Sequence, residues 1–403
     1  MTMRASWADS PDARAQALDR VFPELLLWEG AESATDVNRR RRLMTDHSVS
    51  RRLFMTAAAA APAALAADTS DRIRIFDPPP TRIRILCTRV GPTPGFTPAE
   101  VEQLKAGGKN NVEIFMPATA DEMNKLLPEC DVVFGQLNAA SLAKAKNLMW
   151  VQNLEAGLER EMFPELVAHP CAMTNMARMY APALGETMFA ILLALTRGIQ
   201  KYYVPQFDRK EWKPVRDLVE MGGKTMGVVA MGGLGQAMAK IAHYGFDMKV
   251  LAVDIKPMAK PVFVDTLREP EWLMEMVPQV DVLVCCCPST PVSRGMIGDK
   301  VFRAMKKTAY FINMSRGPLM DENALAAALK EGRIAGAGSD PGPVEPYPPT
   351  GVLWGCPNMI FTQHSGGFSP ERQIRHMGLL AENVRRYAHG LPLMNVVDKV
   401  RGY

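Results

Sequence analysis

The stretch Gly227–Ala242, GVVAMGGLGQAMAKIA, decides the fold. Its leading apolar residues predict a buried strand, MGGLG a tight turn, and QAMAKIA the start of a helix. Against the pattern G-x-G-x-x-G the three positions are Ala230, Gly232 and Gly235. Gly232, followed by Gly233 and Leu234, lets backbone approach a pyrophosphate, and Gly235 permits close helix–strand packing. The helix N-terminus adds unpaired N–H groups and a positive dipole end. Alanine at the first position is expected to hold ordinary backbone angles there. A second strand ends in KVLAVDIKPM, placing Asp254 nineteen residues after Gly235, where its carboxylate can accept the ribose hydroxyls. It would repel a 2′-phosphate, so NAD is expected over NADP, with Lys256 keeping NADP as the alternative.

Outward from this stretch, short apolar runs alternate with helical patterns. Ile83–Thr88, Val112–Met116, Val132–Gly135, Met149–Asn153 and Ala172–Asn175 read as strands, with helices such as Pro98–Lys105 and Asp121–Leu127 between them. A long apolar helix follows from Ala181 to Arg197. The rhythm then restarts through Met226–Ala230, Lys249–Val253, Val282–Cys287, Ala309–Ile312, Ala335–Gly338 and Ile360–Thr362. Two doubly wound α/β units in series result, each a parallel sheet covered on both faces. The final helix, Pro370–Ala388, lies beyond the second unit and would pack back on the first, making that domain discontinuous.

Doubly wound sheets place ligands at the carboxyl ends of their strands. Three strand ends there carry polar residues: FINMSRGPLMDENAL with Arg316, GAGSDPGPVEP with Asp340 and Glu345, and NMIFTQHSGG with His364. Hydride exchange with a hydroxy acid needs a carboxylate clamp, a proton donor and acceptor, and a group that tunes it. Arginine, histidine and glutamate suit those roles in turn. The other histidines, His47, His169, His243, His376 and His389, lie outside any comparable Gly-rich strand end.

The segments Gly222–Lys240, Pro288–Asp340 and Leu353–Gly367 together resemble the D-isomer-specific 2-hydroxyacid dehydrogenase family, over essentially all of residues 83–400. That resemblance implies a Rossmann cofactor domain inserted in a flavodoxin-like substrate domain, with the substrate domain at 83–182, the dinucleotide domain at 183–366 and a returning helix at 367–403. It implies that Arg316 clamps the substrate carboxylate and polarises the keto oxygen through its planar fork. Glu345 would hydrogen-bond the imidazole, and His364 would be the general acid/base. Pro288 and Asp340 join the cofactor set. In VQNLEAGLER, the backbone N–H groups of Ala156 and Gly157 would receive the substrate carboxylate. Glu155 beside them costs affinity unless it points away or meets a cationic group of the substrate. Gln363 stands where the family has proline and is expected to loosen the loop. The implied activity is hydride transfer between NAD(H) and a small 2-hydroxy or 2-keto acid by a homodimer.

The chain has 403 residues, a formal charge of +4 and no basic cluster interleaved with aromatics past residue 67, so nucleic acid is an unsuitable partner. Seven cysteines, three of them consecutive at Cys285–Cys287, lack metal-ligand spacing and read as buried thiols, so no metal is expected. Near the start, Arg51-Arg52-Leu53-Phe54, an apolar segment Ala57–Ala67 and Ala64-Leu65-Ala66 read as a twin-arginine signal at 44–67, too short to be a membrane anchor. Residues 1–43 read as a basic leader or lie ahead of a start at Met44, and 68–82 as a linker. Export through the twin-arginine machinery to the periplasm is the expectation, with a cytoplasmic protein as the alternative. Two further readings are an exported protein with permanently bound NAD(P) and a non-catalytic NAD-binding regulator.

Overall fold

The computed structural model describes residues 76, 79–89, 95–108, 111–159 and 161–403. The twin-arginine stretch and the leader lie outside the described residues. Two compact units are present. One holds Pro98–Val112 and Met377–Met394 with the described residues up to Ile83; the other holds Arg84–Thr97, Glu113–His376 and Asn395–Tyr403. In the first, Leu104 is fully buried and Phe76 meets Tyr387 edge-on at 4.5 Å. Asn383 both donates to the Met394 carbonyl and accepts from its N–H.

Twelve strands form two sheets among the described residues. The five-stranded sheet comprises β1 (Ile83–Cys87), β2 (Val112–Phe115), β3 (Val132–Phe134), β4 (Trp150–Gln152) and β5 (Ala172–Thr174), in the order β2-β1-β3-β4-β5. The seven-stranded sheet comprises β6 (Thr225–Val229), β7 (Lys249–Val253), β8 (Thr266–Arg268), β9 (Val282–Cys285), β10 (Tyr310–Asn313), β11 (Gly336–Ser339) and β12 (Met359–Phe361). Its order is β12-β11-β10-β9-β6-β7-β8, with every neighbouring pair parallel. Among the helices are α1 (Pro98–Ala106), α2 (Ala120–Leu126), α3 (Ala181–Thr196), α4 (Gly233–Phe246), α5 (Glu322–Lys330) and α6 (Pro370–Ala388). The expected doubly wound fold is therefore present, the first sheet in flavodoxin order and the second built on the Rossmann order.

The apolar runs of the second sheet have no polar alternation because both of its faces are buried. Val229, Leu251, Val253, Leu283, Cys285 and Phe311 face one layer, which includes Phe302, Leu325 and Leu329. Val228, Val250, Ala252, Val284 and Ile312 face the other, with Met188, Ile191 and Leu192 of α3 and Met238, Ala239 and Ala242 of α4. Gly338 lets α3 close on the sheet, since a Cβ there would lie 2.2 Å from Ile191 Cγ2. All seven cysteines are free, six buried and Cys286 half-buried. No single helix among the described residues is long and apolar enough to cross a membrane. The edge strand β8 is one the sequence reading does not anticipate.

Candidate active site

Strand order reverses between β6 and β9, and the polar residues singled out above follow the carboxyl ends of β6, β7, β9, β10, β11 and β12. A doubly wound sheet opens its ligand crevice at that place.

The turn after β6 corrects one expectation. Ala230 adopts φ +76°, the left-handed region, rather than ordinary angles. The cause is Gly235: a Cβ there would sit 2.0 Å from the Ala230 carbonyl oxygen, so the turn brings that oxygen onto the α4 backbone. Alanine in that region costs about 1–2 kcal/mol relative to glycine, which the packed turn absorbs. The conformation is held by Asp254, whose Oδ2 accepts the Met231 N–H at 2.6 Å, and by Gln236, which donates to the Met231 carbonyl at 2.9 Å. Asp254 Oδ1 accepts the Lys256 N–H at 2.7 Å. Gly233 abuts Arg178, and Leu234 packs against the α3/α4 core. Gly232 caps α4, and a Cβ built on it would meet nothing within 4 Å. Open backbone at the N-terminus of a helix beside a fixed carboxylate fits a dinucleotide. Lys256 extends its ammonium 4.3 Å over the Tyr403 ring, and burial lowers its pKa from the usual lysine value. Pro288 is exposed just past β9.

Arg316 begins a 3₁₀ turn immediately beyond β10. Its neighbours position it: Ser315 Oγ donates to the Cys287 carbonyl at 2.8 Å, and Asn313 Nδ2 to the Arg316 carbonyl at 2.9 Å. Gly317 is needed because a Cβ would lie 1.8 Å from the Gly342 carbonyl oxygen. The guanidinium reaches the loop after β4. Its Nε donates to Glu159 Oε1 at 2.8 Å and its Nη1 to the Ser315 carbonyl at 2.8 Å. Nη2 would be 2.0 Å from a Cβ on Gly157. That loop is tied back, Asn175 donating to the Ala156 carbonyl at 2.8 Å and Asn153 to the Gly157 carbonyl at 3.0 Å.

Glu345 and His364 meet. His364 Nδ1 lies 2.9 Å from both carboxylate oxygens, and Glu345 Oε1 also accepts the Gly342 N–H at 3.1 Å. An Nδ1–H donated to the carboxylate leaves Nε2 as the exchanging nitrogen. The Pro341-Gly342-Pro343 sequence thus supplies a backbone donor that orients Glu345. Asp340, 1% exposed, stays beneath the histidine loop: its Oδ1 accepts Thr362 Oγ1 at 2.6 Å and the Gly366 N–H at 2.9 Å. Its carbonyl accepts the His364 N–H at 2.7 Å. The histidine loop carries Gln363 where the family has proline. Gln363 and His364 both hold left-handed angles, φ +46° and +54°, the first of which a proline ring at 363 would forbid. The loop is fastened instead by Asp340 and by Thr187 Oγ1, which donates to the Gly366 carbonyl at 3.0 Å.

Three residues that sequence reasoning passes over belong to this neighbourhood. Glu159 pairs with Arg316; Tyr180 donates its hydroxyl to Glu155 Oε2 at 2.7 Å; Arg372 lies over the Tyr180 ring at 5.4 Å and the Phe368 ring at 4.4 Å. Burial first, then the bond to Glu155, raises the Tyr180 pKa above its ordinary value. Glu155 therefore has a resident donor. His376, edge-on to Tyr180 at 5.1 Å, is pushed down to about 4 by burial and by Arg372 and Arg375, so it is neutral near pH 7. Glu159 stands inside the quoted VQNLEAGLER loop and only its partner was hidden; for Tyr180 and Arg372 the sequence holds no signal.

A doubly wound pair of sheets with a dinucleotide turn and an Arg–Glu–His set at strand ends defines a nicotinamide-dependent oxidoreductase. Residues 189–366 match the family described as D-isomer specific 2-hydroxyacid dehydrogenase, NAD binding domain. A glyoxylate reductase of Korarchaeum cryptofilum is 30% identical over 289 residues, spanning 67% of this chain and 83% of its own. A glyoxylate reductase of Thermococcus litoralis is 32% identical over 277 residues, 66% of this chain and 82% of its own. Among solved structures, an NADPH-dependent glyoxylate/hydroxypyruvate reductase of Sinorhizobium meliloti in complex with NADP and sulfate aligns at 25% identity and a TM-score of 0.66, over 80% of this chain and 100% of its own. The chain belongs to the D-isomer-specific 2-hydroxyacid dehydrogenase family. It is an NAD(P)-dependent oxidoreductase acting between 2-hydroxy and 2-keto acids. Neither the regulatory reading nor the permanently bound cofactor finds support in these relatives.

Proposed function

We propose that this enzyme reduces a short 2-oxo acid of the glyoxylate or hydroxypyruvate type to its 2-hydroxy acid, of D configuration where that product is chiral, with NADH preferred over NADPH. The observation that carries the reading is the Glu345–His364 pair at 2.9 Å, on a loop fastened by Asp340, one strand beyond the loop that carries Glu345. A bound dihydronicotinamide supplies the hydride. Arg316 and the Ala156–Gly157 backbone hold the substrate carboxylate, Arg316 polarises the keto oxygen, and His364 delivers a proton to that oxygen from Nε2. Glu345 holds the imidazole through Nδ1 in the orientation that presents Nε2 to the substrate.

Asp254 supports the NADH preference. A 2′-phosphate brought to about 4 Å from a carboxylate is opposed by about 1–4 kcal/mol between aqueous and near-surface dielectric, so kcat/KM should favour NADH by tenfold or more. Initial rates on glyoxylate and hydroxypyruvate with each nucleotide test both parts. No rate on either acid would refute the substrate class, and equal use of NADPH would refute the role of Asp254.

A homodimer and export belong to the same proposal. Phe207 and Trp212 are 83% and 99% exposed, support for an apolar surface covered by a second copy. Arg51-Arg52 ahead of a cofactor-binding fold supports a route that carries folded proteins. Protein recovered from its native cells is then expected in the periplasmic fraction, beginning just after the alanine segment and with twice the mass of one chain. An intact cytosolic monomer would sink both.

A further inference from the structure

We propose that Glu159 is a resident carboxylate holding the place of the substrate's own, and that substrate binding requires it to leave Arg316. The inference rests on the 2-keto acid reading above. Its ground is the meeting of Arg316 and Glu159 over Gly157. A single point there, the position of an absent Cβ, lies 2.0 Å from Arg316 Nη2 and 2.7 Å from Glu159 Oε2, while Glu159 Oε1 accepts from Nε at 2.8 Å. The glutamate therefore takes the Nε end of the guanidinium, with its second oxygen on the same side as Nη2, along the planar fork that a carboxylate engages. With Nη1 turned to the Ser315 carbonyl, this is the edge that faces the backbone assigned to the substrate. An incoming carboxylate over Gly157 and the Glu159 carboxylate are two like charges competing for one edge.

The exchange is easy in one direction and selective in the other. Side chains of Arg316 and Glu159 are 30% and 35% exposed, so Glu159 can swing into water. An ion pair this accessible is weak, and its release is expected to cost substrate about two- to fivefold in affinity. In return Arg316 stays held when no acid is bound, and ligands without a carboxylate gain nothing from displacing its partner. Glu159 is thus a specificity residue of the site rather than a catalytic one.

The experiment compares wild type with Glu159→Gln and Glu159→Ala, measuring KM and kcat for glyoxylate with saturating NADH and, by calorimetry, oxamate binding to the NADH complex. Competition predicts that KM and the oxamate Kd fall together, about two- to fivefold, with kcat held and Ala moving at least as far as Gln. A raised KM in either variant would make Glu159 a support for Arg316 and overturn the inference, as would unchanged KM and Kd. Should one variant fail to fold, the other decides by the same readout. Wild-type protein that neither reduces glyoxylate nor binds oxamate would instead refute the underlying reading.

Discussion

Replacing His364 with Ala is expected to lower kcat for glyoxylate reduction by about 100- to 10,000-fold, the span that a positioned general acid contributes. The imidazole has the Glu345 carboxylate on Nδ1 and a loop fixed by Asp340 and Thr187. His376 is neutral near pH 7 and packs on Tyr180. NADH affinity should be retained, because the dinucleotide groups follow β6, β7, β9 and β11, and the Asp340 carbonyl is met by the His364 backbone N–H, which alanine keeps. Stability should hardly change, since the side chain is 44% exposed. Stopped-flow single turnover separates the chemical step from product release. Unchanged turnover with bound NADH would remove His364 from the mechanism.

Much of this site is legible in the sequence because its chemistry is carried by local signals. The strand–turn–helix around Gly232 and Gly235, the acid at Asp254 and the polar strand ends at Arg316, Glu345 and His364 are all short-range patterns in an apolar frame. Strand β8 escapes because its three residues are half-buried or exposed and present no apolar run. Ala230 misleads in a more instructive way, and Gln363 shares its geometry. Each residue's own preference argues for ordinary angles, yet the turn and the histidine loop impose φ +76° and +46°. Contact between Ala230 and Gly235 in the first case, and the Asp340 and Thr187 hydrogen bonds around Gly366 in the second, outweigh a local cost of about 1–2 kcal/mol. Glu159 and Arg316 are 157 residues apart, a pairing no periodicity encodes.

Arg316→Lys is the second large loss expected, in substrate use rather than in the proton step. The arginine makes three separate engagements at once: Nε with Glu159, Nη1 with the Ser315 carbonyl, and Nη2 against Gly157. A lysine ammonium keeps the charge but has one nitrogen on a flexible stem, so it cannot hold a carboxylate and a keto oxygen together. Losing one charge-assisted hydrogen bond of the pair amounts to about 2–3 kcal/mol, a fall of about 30- to 150-fold in kcat/KM. Most of it should appear in KM if the carboxylate contact is lost, and in kcat if polarisation of the keto oxygen is what fails. Oxamate binding to the NADH complex distinguishes them, because oxamate reports the ground-state contact alone. A variant with wild-type kinetics and wild-type oxamate affinity would refute the clamp and, with it, the assignment of the space over Gly157 to the substrate carboxylate.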